Sequence, residues 1–240
     1  MRKVTCFVVI SILLCSTAVL HAQAASVFLT QEQTFGDSIP TFEETLTFDK
    51  FDASLGTLLS IEVGMYLEST GGSLTVDNDG AQPATVTAKL GVQGAMSSTD
   101  VSFMDTSFQF IANDIHAYET ATYALAADDG DGPSNVDPSA PDAATLIGNS
   151  SQTSDNGYLH SLVHGQYIGS GTFDVTVDVA PYLNFGGVGG LEGGFTNMIA
   201  GGNVQVIYEY EPSIPPVPVP GSVVLLVSGL GFMAWMRRRN

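Results

Sequence analysis

An acid-rich turn contains the residues of this sequence best suited to bind a metal ion. It reads Asp128-Asp129-Gly130-Asp131-Gly132. Hard cations such as calcium prefer clustered carboxylate and carbonyl oxygens, so this turn is a candidate calcium site. It lacks the ligand spacing and the distal Glu of an EF-hand loop. A solvated acidic turn is therefore the favoured interpretation, so we assign no metal ligand and expect no cofactor, with calcium kept as an option.

A second acidic segment, Asp77-Asn78-Asp79-Gly80, lies between two segments of alternating polarity. Asp, Asn and Gly are the residue types that favour tight turns. We therefore predict that this segment forms the turn of a β-hairpin and not a metal site.

Two histidines have a spacing that is compatible with zinc binding. His160 and His164 are four residues apart, and they would share one face of either a helix or a strand. No Glu lies between them, and no further ligand follows at a spacing typical of zinc sites. We expect ordinary histidines in a strand running from Tyr158 to Ile168.

Recognisable catalytic motifs do not occur in the chain. There is no Gly-x-Ser-x-Gly elbow, and the Gly-rich stretch 186–202 lacks the Lys-Ser/Thr pair of a phosphate-binding loop. Paired carboxylates are abundant through composition alone, so they do not indicate a glycosidase. We predict no catalytic residue and no enzyme activity; a hydrolase would need a pocket of converging carboxylates.

The rings of four tyrosines could bind sugars by stacking on them. We expect Tyr66, Tyr118, Tyr123 and Tyr167 to be exposed. Sandwich proteins also use such residues for packing, so both roles stay open.

The elements that must position these residues are strands. In 57–68, five apolar residues of one parity (Leu59, Ile61, Val63, Met65 and Leu67) alternate with mostly polar neighbours. The segment 172–179 alternates more strictly, with Phe173 and three valines on one face. Before the C-terminal tail no segment shows a helical period. The sequence therefore predicts an all-β antiparallel sandwich, jelly-roll or Ig-like.

Other segments complete this picture. We expect an edge strand plus loop in 26–47, strands starting at Leu74 and covering 85–92, and a closing strand in 204–210. Phe103 to Ile111 is a further aromatic-rich run. The segment 126–156 is poor in bulky residues, so we predict a long surface excursion. A Gly-rich loop is expected in 186–194.

The N-terminus has the three parts of a secretory signal peptide. Met1-Arg2-Lys3 is basic, an apolar stretch runs to Leu20, and Ala22 and Ala24 form an Ala-x-Ala cleavage site. We expect cleavage after Ala24. Both cysteines lie inside this segment, which excludes disulfides, thiolate ligands and a Cys nucleophile in the mature protein.

The exported part of the chain is strongly acidic. All 25 Asp and Glu residues lie between Glu32 and Glu211, whereas only Lys50 and Lys89 of the 7 basic residues lie there. Such a surface repels nucleic acid and anionic lipid, so no nucleic-acid partner is expected. A neutral or calcium-bridged glycan is easier to bind than an anionic polysaccharide.

The C-terminus combines a proline motif, an apolar run and a basic end. The stiff segment 212–220 contains five prolines. The motif Val217-Pro218-Val219-Pro220-Gly221 is followed by uncharged residues to Met236 and then by three arginines. A helix over 221–236 would span about 24 Å, which is short for a bilayer core of about 30 Å.

These arginines, Arg237, Arg238 and Arg239, would keep the C-terminal end of the helix in the cytoplasm by the positive-inside rule. The tail would then hold the exported domain outside the inner membrane. A buried helix of a soluble domain is the alternative.

These three parts together resemble the PEP-CTERM sorting signal of Gram-negative bacteria. Val219 stands where that signal usually has an acidic residue. Its Val-Pro-Leu-Pro variants likewise have an apolar residue at this position. The resemblance implies that an exosortase, a membrane transpeptidase-like enzyme, is a partner. It also implies a transient stay in the inner membrane, followed by release or re-anchoring at the cell surface or in extracellular polysaccharide.

A second resemblance concerns the domain itself. The stretch from Phe48 to Leu58, with its Leu55-Gly56-Thr57-Leu58 phrase, is similar to the opening motif of the choice-of-anchor E domain. The closing segment 204–210 fits the same pattern. This family implies a secreted, anchored surface protein without an assigned activity.

The resulting expectation has four parts: a signal peptide at 1–24, an exported β-sandwich at 25–211, a linker at 212–220 and a sorting and transmembrane helix at 221–240. The expected function is that of a non-enzymatic surface or matrix protein. A carbohydrate-binding module, with or without calcium, is the alternative.

Overall fold

The computed structural model describes residues 25–132, 135–187 and 190–213. The predicted signal peptide, the sorting motif and the apolar tail lie outside these residues. The described residues form eleven strands and one 3₁₀ helix, Ser161–Tyr167. The strands are β1 Val27–Ser38, β2 Phe42–Asp49, β3 Gly56–Thr70, β4 Ser73–Asn78, β5 Ala84–Ser97, β6 Ile115–Leu125, β7 Ala143–Ile147, β8 Ser150–Tyr158, β9 Thr172–Gly186, β10 Leu191–Thr196 and β11 Ile199–Pro212.

The strands form three antiparallel sheets in a sandwich-like arrangement. The first sheet has the order β1-β11-β3-β8, the second sheet has the order β2-β9-β5-β6, and a small sheet has the order β10-β4-β7. The prediction of an all-β antiparallel fold is confirmed.

The core lies between the inner faces of the two larger sheets. Alternate residues of the central strands are buried, because successive side chains of a strand point to opposite faces. The residues predicted to face the core in β9 and in β5 are all buried. Those predicted in β11 are buried too, except for Tyr210, which is partly buried. Tyr208 also donates a hydrogen bond from its hydroxyl to the Asp49 carbonyl oxygen at 3.0 Å.

One predicted core residue, Leu59, points away from the core and is 46% exposed. The register of β3 against β11 shifts here, because Glu209 pairs with Ser60 whereas Tyr210 pairs with Leu58. The extra residue of this β-bulge is left without a partner and leaves the alternation. The prediction was therefore wrong for Leu59 and right for the four apolar residues that follow.

Other predicted boundaries were also wrong. Segment 26–47 contains two strands, β1 and the start of β2, which lie at the edges of different sheets. Within the predicted excursion 126–156, the described residues are irregular only to Asp142, and β7 and most of β8 follow. The predicted loop 186–194 includes the start of β10. The aromatic run from Phe103 to Ile111 is a loop with two isolated bridges, one between Met104 and Phe110 and one between Asp105 and Leu159.

Candidate metal centre

The corner that follows β4 is built around a buried asparagine. Asn78 is fully buried, and its side-chain Nδ2 donates to the carbonyl oxygens of Ala126 and Gln82. Its Oδ1 accepts from the Gly80 backbone N–H at 3.2 Å. Because β4 and β5 belong to different sheets, this corner transfers the chain between sheets, and the predicted hairpin was wrong.

The loop 126–142 folds back onto this corner. Its two ends are joined by a hydrogen bond from Ala126 N–H to the Pro141 carbonyl oxygen at 3.1 Å. Asp128 N–H donates to the Gly80 carbonyl oxygen at 3.0 Å, and Asn78 N–H donates to the Asp142 carbonyl oxygen at 3.1 Å. The acid-rich turn predicted from the sequence is therefore held against the corner that contains Asp79.

This folding brings five carboxylates together, which we call the acidic cluster: Asp79, Asp128, Asp129, Asp131 and Asp142. Carboxylate oxygens of Asp79, Asp128 and Asp131 lie within 4.8 Å of one another. The same holds for Asp128, Asp129 and Asp142. Asp128 is shared, so the two groups of three form one continuous cluster.

Asp142 is the buried member of the acidic cluster. Its side chain is only 2% exposed, and one carboxylate oxygen, Oδ2, accepts from the Asp129 backbone N–H at 2.7 Å. The other oxygen, Oδ1, is buried without a hydrogen-bond partner among the described residues. Buried polar atoms are usually satisfied, because leaving one unpaired is costly.

Burial, and after it the neighbouring charges, raise the pKa of three carboxyl groups in and beside the acidic cluster. Burial raises the pKa of Asp77, and the charges of Asp142, Asp131 and Asp79 raise it further, against a lowering hydrogen bond from the Asn78 N–H. Desolvation also raises the pKa of Asp79 and of Asp131, and in both cases neighbouring carboxylates add to the effect. The segments 72–88 and 126–142 contain no Lys or Arg that could offset this repulsion.

These donors define the chemistry available here. All five side chains offer carboxylate oxygens, which are the ligands of hard cations such as calcium. Sequence reasoning had singled out Asp128, Asp129 and Asp131, but it missed Asp79 as a partner and Asp142 altogether. The available signal for Asp142 was an acidic residue placed immediately before a short apolar segment, β7.

The two histidines lie in a different environment from the predicted strand. The chain from Ser161 to Tyr167 is a 3₁₀ helix, and His160 caps it by accepting the Leu162 N–H on Nδ1 at 3.2 Å. His164 Nε2 lies 3.2 Å from the Leu159 carbonyl oxygen. Among the described residues, neither histidine belongs to a group of side chains that lie close enough together to bind one metal ion.

The four tyrosines have different roles. Tyr118 is exposed, whereas the Tyr123 hydroxyl donates to the Thr145 carbonyl oxygen at 3.0 Å. The Tyr66 hydroxyl lies between the side chains of Glu68 and Gln152. Tyr167 is fully buried, so its prediction as an exposed residue was wrong. It ends the 3₁₀ helix and is turned into the core, where its ring meets Phe173 edge-on.

The sequence-predicted processing residues cannot be placed in this structure. The cleavage site Ala22 and Ala24, the motif 217–221 and the arginines 237–239 all lie outside the described residues. Within residues 25–213, apart from the gaps at 133–134 and 188–189, no helix has the length and apolar character needed to cross a bilayer.

Comparisons with known proteins give little further information. No protein-family model and no curated protein matches the chain. Among solved structures, a chain in the structure of infectious bursal disease virus Gx strain is 9% identical in sequence to this chain. The match covers 84% of this chain and 49% of that chain, with a TM-score of 0.14. The VP2 subviral particle of that virus is 8% identical, covering 77% and 38%, with a TM-score of 0.12. The chain thus spans half or less of their length, and TM-scores this low do not indicate a shared fold.

Proposed function

We propose that this protein is an exported, non-enzymatic surface or matrix protein that an exosortase-type enzyme processes through its C-terminal tail. The observation that supports this is the way in which the folded domain ends. Strand β11 is paired with β3 up to Pro212, and Ser213 N–H then donates to the Leu55 carbonyl oxygen at 3.0 Å. The proline-rich segment therefore begins where the sheet pairing stops, and the motif 217–221 follows within a few residues.

The proposed route begins with signal-peptide cleavage after Ala24 and export through the inner membrane of a Gram-negative bacterium. The tail then holds the domain at that membrane until it is released or re-anchored at the surface or in extracellular polysaccharide. The acidic, lysine-poor domain is consistent with a soluble exterior location and with no nucleic-acid partner. The resemblances to PEP-CTERM signals and to choice-of-anchor E domains are part of this proposal.

A finer assignment of the fold also belongs to the proposal. Of the jelly-roll and Ig-like alternatives, the jelly roll is favoured, since the two larger sheets contain four strands each. Eight strands in two sheets are the number that jelly rolls contain, whereas Ig constant-type domains have seven.

Mass spectrometry of the surface pool tests the processing step. We expect a mature chain that begins at Ala25 and lacks Arg237 to Arg239. The double substitution P218A/P220A should leave the intact tail in the membrane fraction, because it removes both prolines of the motif. The matched control P215A/P216A changes two prolines just before the motif and should be processed normally. Recovery of intact Arg239-Asn240 in the surface pool would refute the proposal.

A second candidate function, glycan binding, is favoured by an aromatic patch on the outer face of the second sheet. The patch consists of His116, Tyr118 and Tyr182. The Tyr182 ring centroid lies 4.3 Å from that of His116 and 5.3 Å from that of Tyr118. Both tyrosines pair with Gly91 from opposite sides, and Lys89 Nζ of β5 lies 4.7 Å from the Tyr118 ring centroid. The exposed part of the Tyr118 ring offers an apolar surface with a polar hydroxyl, which is the chemistry proposed here for stacking on a sugar.

A glycan array of the full-length protein, run with and without calcium, tests this second candidate. We expect Y118A to weaken binding by about tenfold, which corresponds to about 1.4 kcal/mol. The control Y158A removes an exposed tyrosine of β8, in the first sheet, and should bind as the wild type does. Absence of binding in both buffers, or equal binding by Y118A, would exclude the patch as a glycan site.

A further inference from the structure

We propose that the acidic cluster is a calcium site, with the ion held first by Asp128, Asp129 and Asp142 and with Asp79 and Asp131 extending the site through the shared Asp128. Its carboxylate oxygens already lie within 4.8 Å of one another in each group of three. The inference concerns the folded domain alone and does not depend on how the tail is processed.

The unpaired oxygen of Asp142 distinguishes this cluster from an ordinary acidic surface. An exposed carboxylate is satisfied by water, but Oδ1 of Asp142 is buried and has no partner among the described residues. Its sister oxygen is fixed by the Asp129 N–H, which determines how the carboxylate is oriented beside Asp128 and Asp129. A bound cation would supply the missing partner and would offset the charge of a group that is otherwise costly to bury.

The surrounding hydrogen bonds form a scaffold for the site from chain segments that are distant in sequence. Asn78 ties the corner after β4 to the loop at Ala126, and Asp128 N–H ties the acidic turn to Gly80. Within the turn, Asp128 Oδ1 accepts from Gly130 N–H at 2.9 Å and Asp129 Oδ1 accepts from Asp131 N–H at 3.2 Å. Each of these two contacts uses one oxygen of a carboxylate, and the second oxygens of Asp128 and Asp129 accept no hydrogen bond from the described residues.

The donor set favours calcium over magnesium and over transition metals. It contains only oxygen, which disfavours zinc and copper relative to hard cations. Calcium takes six to eight oxygen ligands in flexible geometry, whereas magnesium demands a near-ideal octahedron and releases its waters reluctantly. The three carboxylates of one group, completed by carbonyl oxygens or water, match the requirement of calcium.

Calcium binding is expected to stabilise the contact between the loop and the corner. An ion held by Asp128, Asp129 and Asp142 would join the acid-rich turn to the residue just before β7, and Asp128 N–H already ties that turn to Gly80. Calcium would therefore fasten the loop to the corner after β4. It would also relieve the mutual repulsion of carboxylates in a region without Lys or Arg. The protein with calcium should therefore unfold at a higher temperature, and its loop should resist proteolysis better, than the protein in a chelator.

Calorimetric titration and thermal unfolding of the full-length protein, purified in detergent, test the proposal. With calcium chloride we expect a dissociation constant of about 10⁻⁴–10⁻³ M, the range of extracellular calcium modules. At about 10 mM calcium the Tm should rise by roughly 3–10 °C over its value in EDTA. Magnesium chloride at the same ionic strength should give a clearly smaller rise.

Two variants and one matched control locate the site. D128N changes an exposed ligand shared by both groups and should weaken calcium binding by at least about tenfold, which corresponds to about 1.4 kcal/mol. Compared with the wild type in the same buffer, D142N should have a lower Tm in calcium but an equal or higher Tm in EDTA, because it removes a buried charge that only the ion offsets. D178N makes the same change at an exposed residue of β9 and should respond to calcium as the wild type does.

The opposite results would overturn the inference. An absence of calcium binding up to about 10 mM, well above the expected range, would do so directly. So would wild-type binding by D128N, or an equal rise in Tm with magnesium, since either result would indicate general screening of an acidic surface. D128N carries the test on its own if D142N does not fold.

Discussion

Replacement of Tyr167 by alanine is expected to lower the free energy of unfolding by about 3–5 kcal/mol, the range for removing a large buried aromatic side chain. The ring is fully buried and meets Phe173 edge-on, with 5.1 Å between the centroids. Phe173 in turn stacks with Phe48 at 5.7 Å. Loss of Tyr167 therefore opens a cavity beside an aromatic group that joins the 3₁₀ helix to β9 and β2.

Two controls separate packing from other effects in urea unfolding of the full-length protein. Y167F keeps the ring but loses the hydrogen bond from the hydroxyl to the Ser102 carbonyl oxygen, and it should cost about 1–3 kcal/mol because that oxygen loses its donor. L162A lies in the same 3₁₀ helix at a side chain that is 74% exposed, and it should change stability by less than about 0.5 kcal/mol. If Y167A lowers the free energy of unfolding by no more than L162A does, that result contradicts the core position of Tyr167.

Substitution of Gly91 by alanine is expected to destabilise the second sheet by about 1–3 kcal/mol or more. Gly91 lies in the central strand β5, between Tyr118 of β6 and Tyr182 of β9. A Cβ atom at this position would lie 2.0 Å from the Ala117 carbonyl oxygen and 2.5 Å from the Tyr118 Cα. Both contacts are with backbone, so relief would require β5 and β6 to move apart at a paired position.

The matched control for this prediction is G194A. Gly194 also lies in a strand, β10, but a Cβ there would meet no atom within 4 Å among the described residues. We expect G194A to retain wild-type stability or to gain slightly, since alanine restricts the unfolded chain more than glycine does. Chemical denaturation would compare the two variants; equal stabilities for G91A and G194A would show that β5 tolerates a side chain at position 91.

Prediction of the fold from sequence succeeded where a strand buries one face. In β9 and β11 the buried residues recur at every second position, because the core removes one face of each strand from water. Strand β8 has no such pattern, since Ser150–Tyr158 lies at the edge of the first sheet and is mostly polar. Its pairing with β3 combines backbone hydrogen bonds with polar side-chain contacts such as Tyr66 to Gln152, and neither leaves an apolar alternation in the sequence.

The wrong prediction for Leu59 also arises because strand pairing cannot be read from the side-chain pattern. Alternation in sequence assigns a residue to a face only while the register with the neighbouring strand is constant. The bulge against β11 inserts one extra residue in β3, so Leu58 and Leu59 exchange the exposures that a regular strand would give them. Only the pairing partner, 150 residues later in the chain, decides this.

The sequence by itself determined the all-β class, the alternating core strands and the acidic turn at 128–131, because these depend on local composition and on the period of two along a strand. The tertiary structure decided which carboxylates meet. Asp79 follows β4 and Asp142 precedes β7, and these two strands pair in the small sheet while the loop 126–142 folds back on their ends. Burial of Asp142, with no described residue as a partner for Oδ1, is a property of that assembly, since solvation depends on neighbours that come from distant parts of the chain.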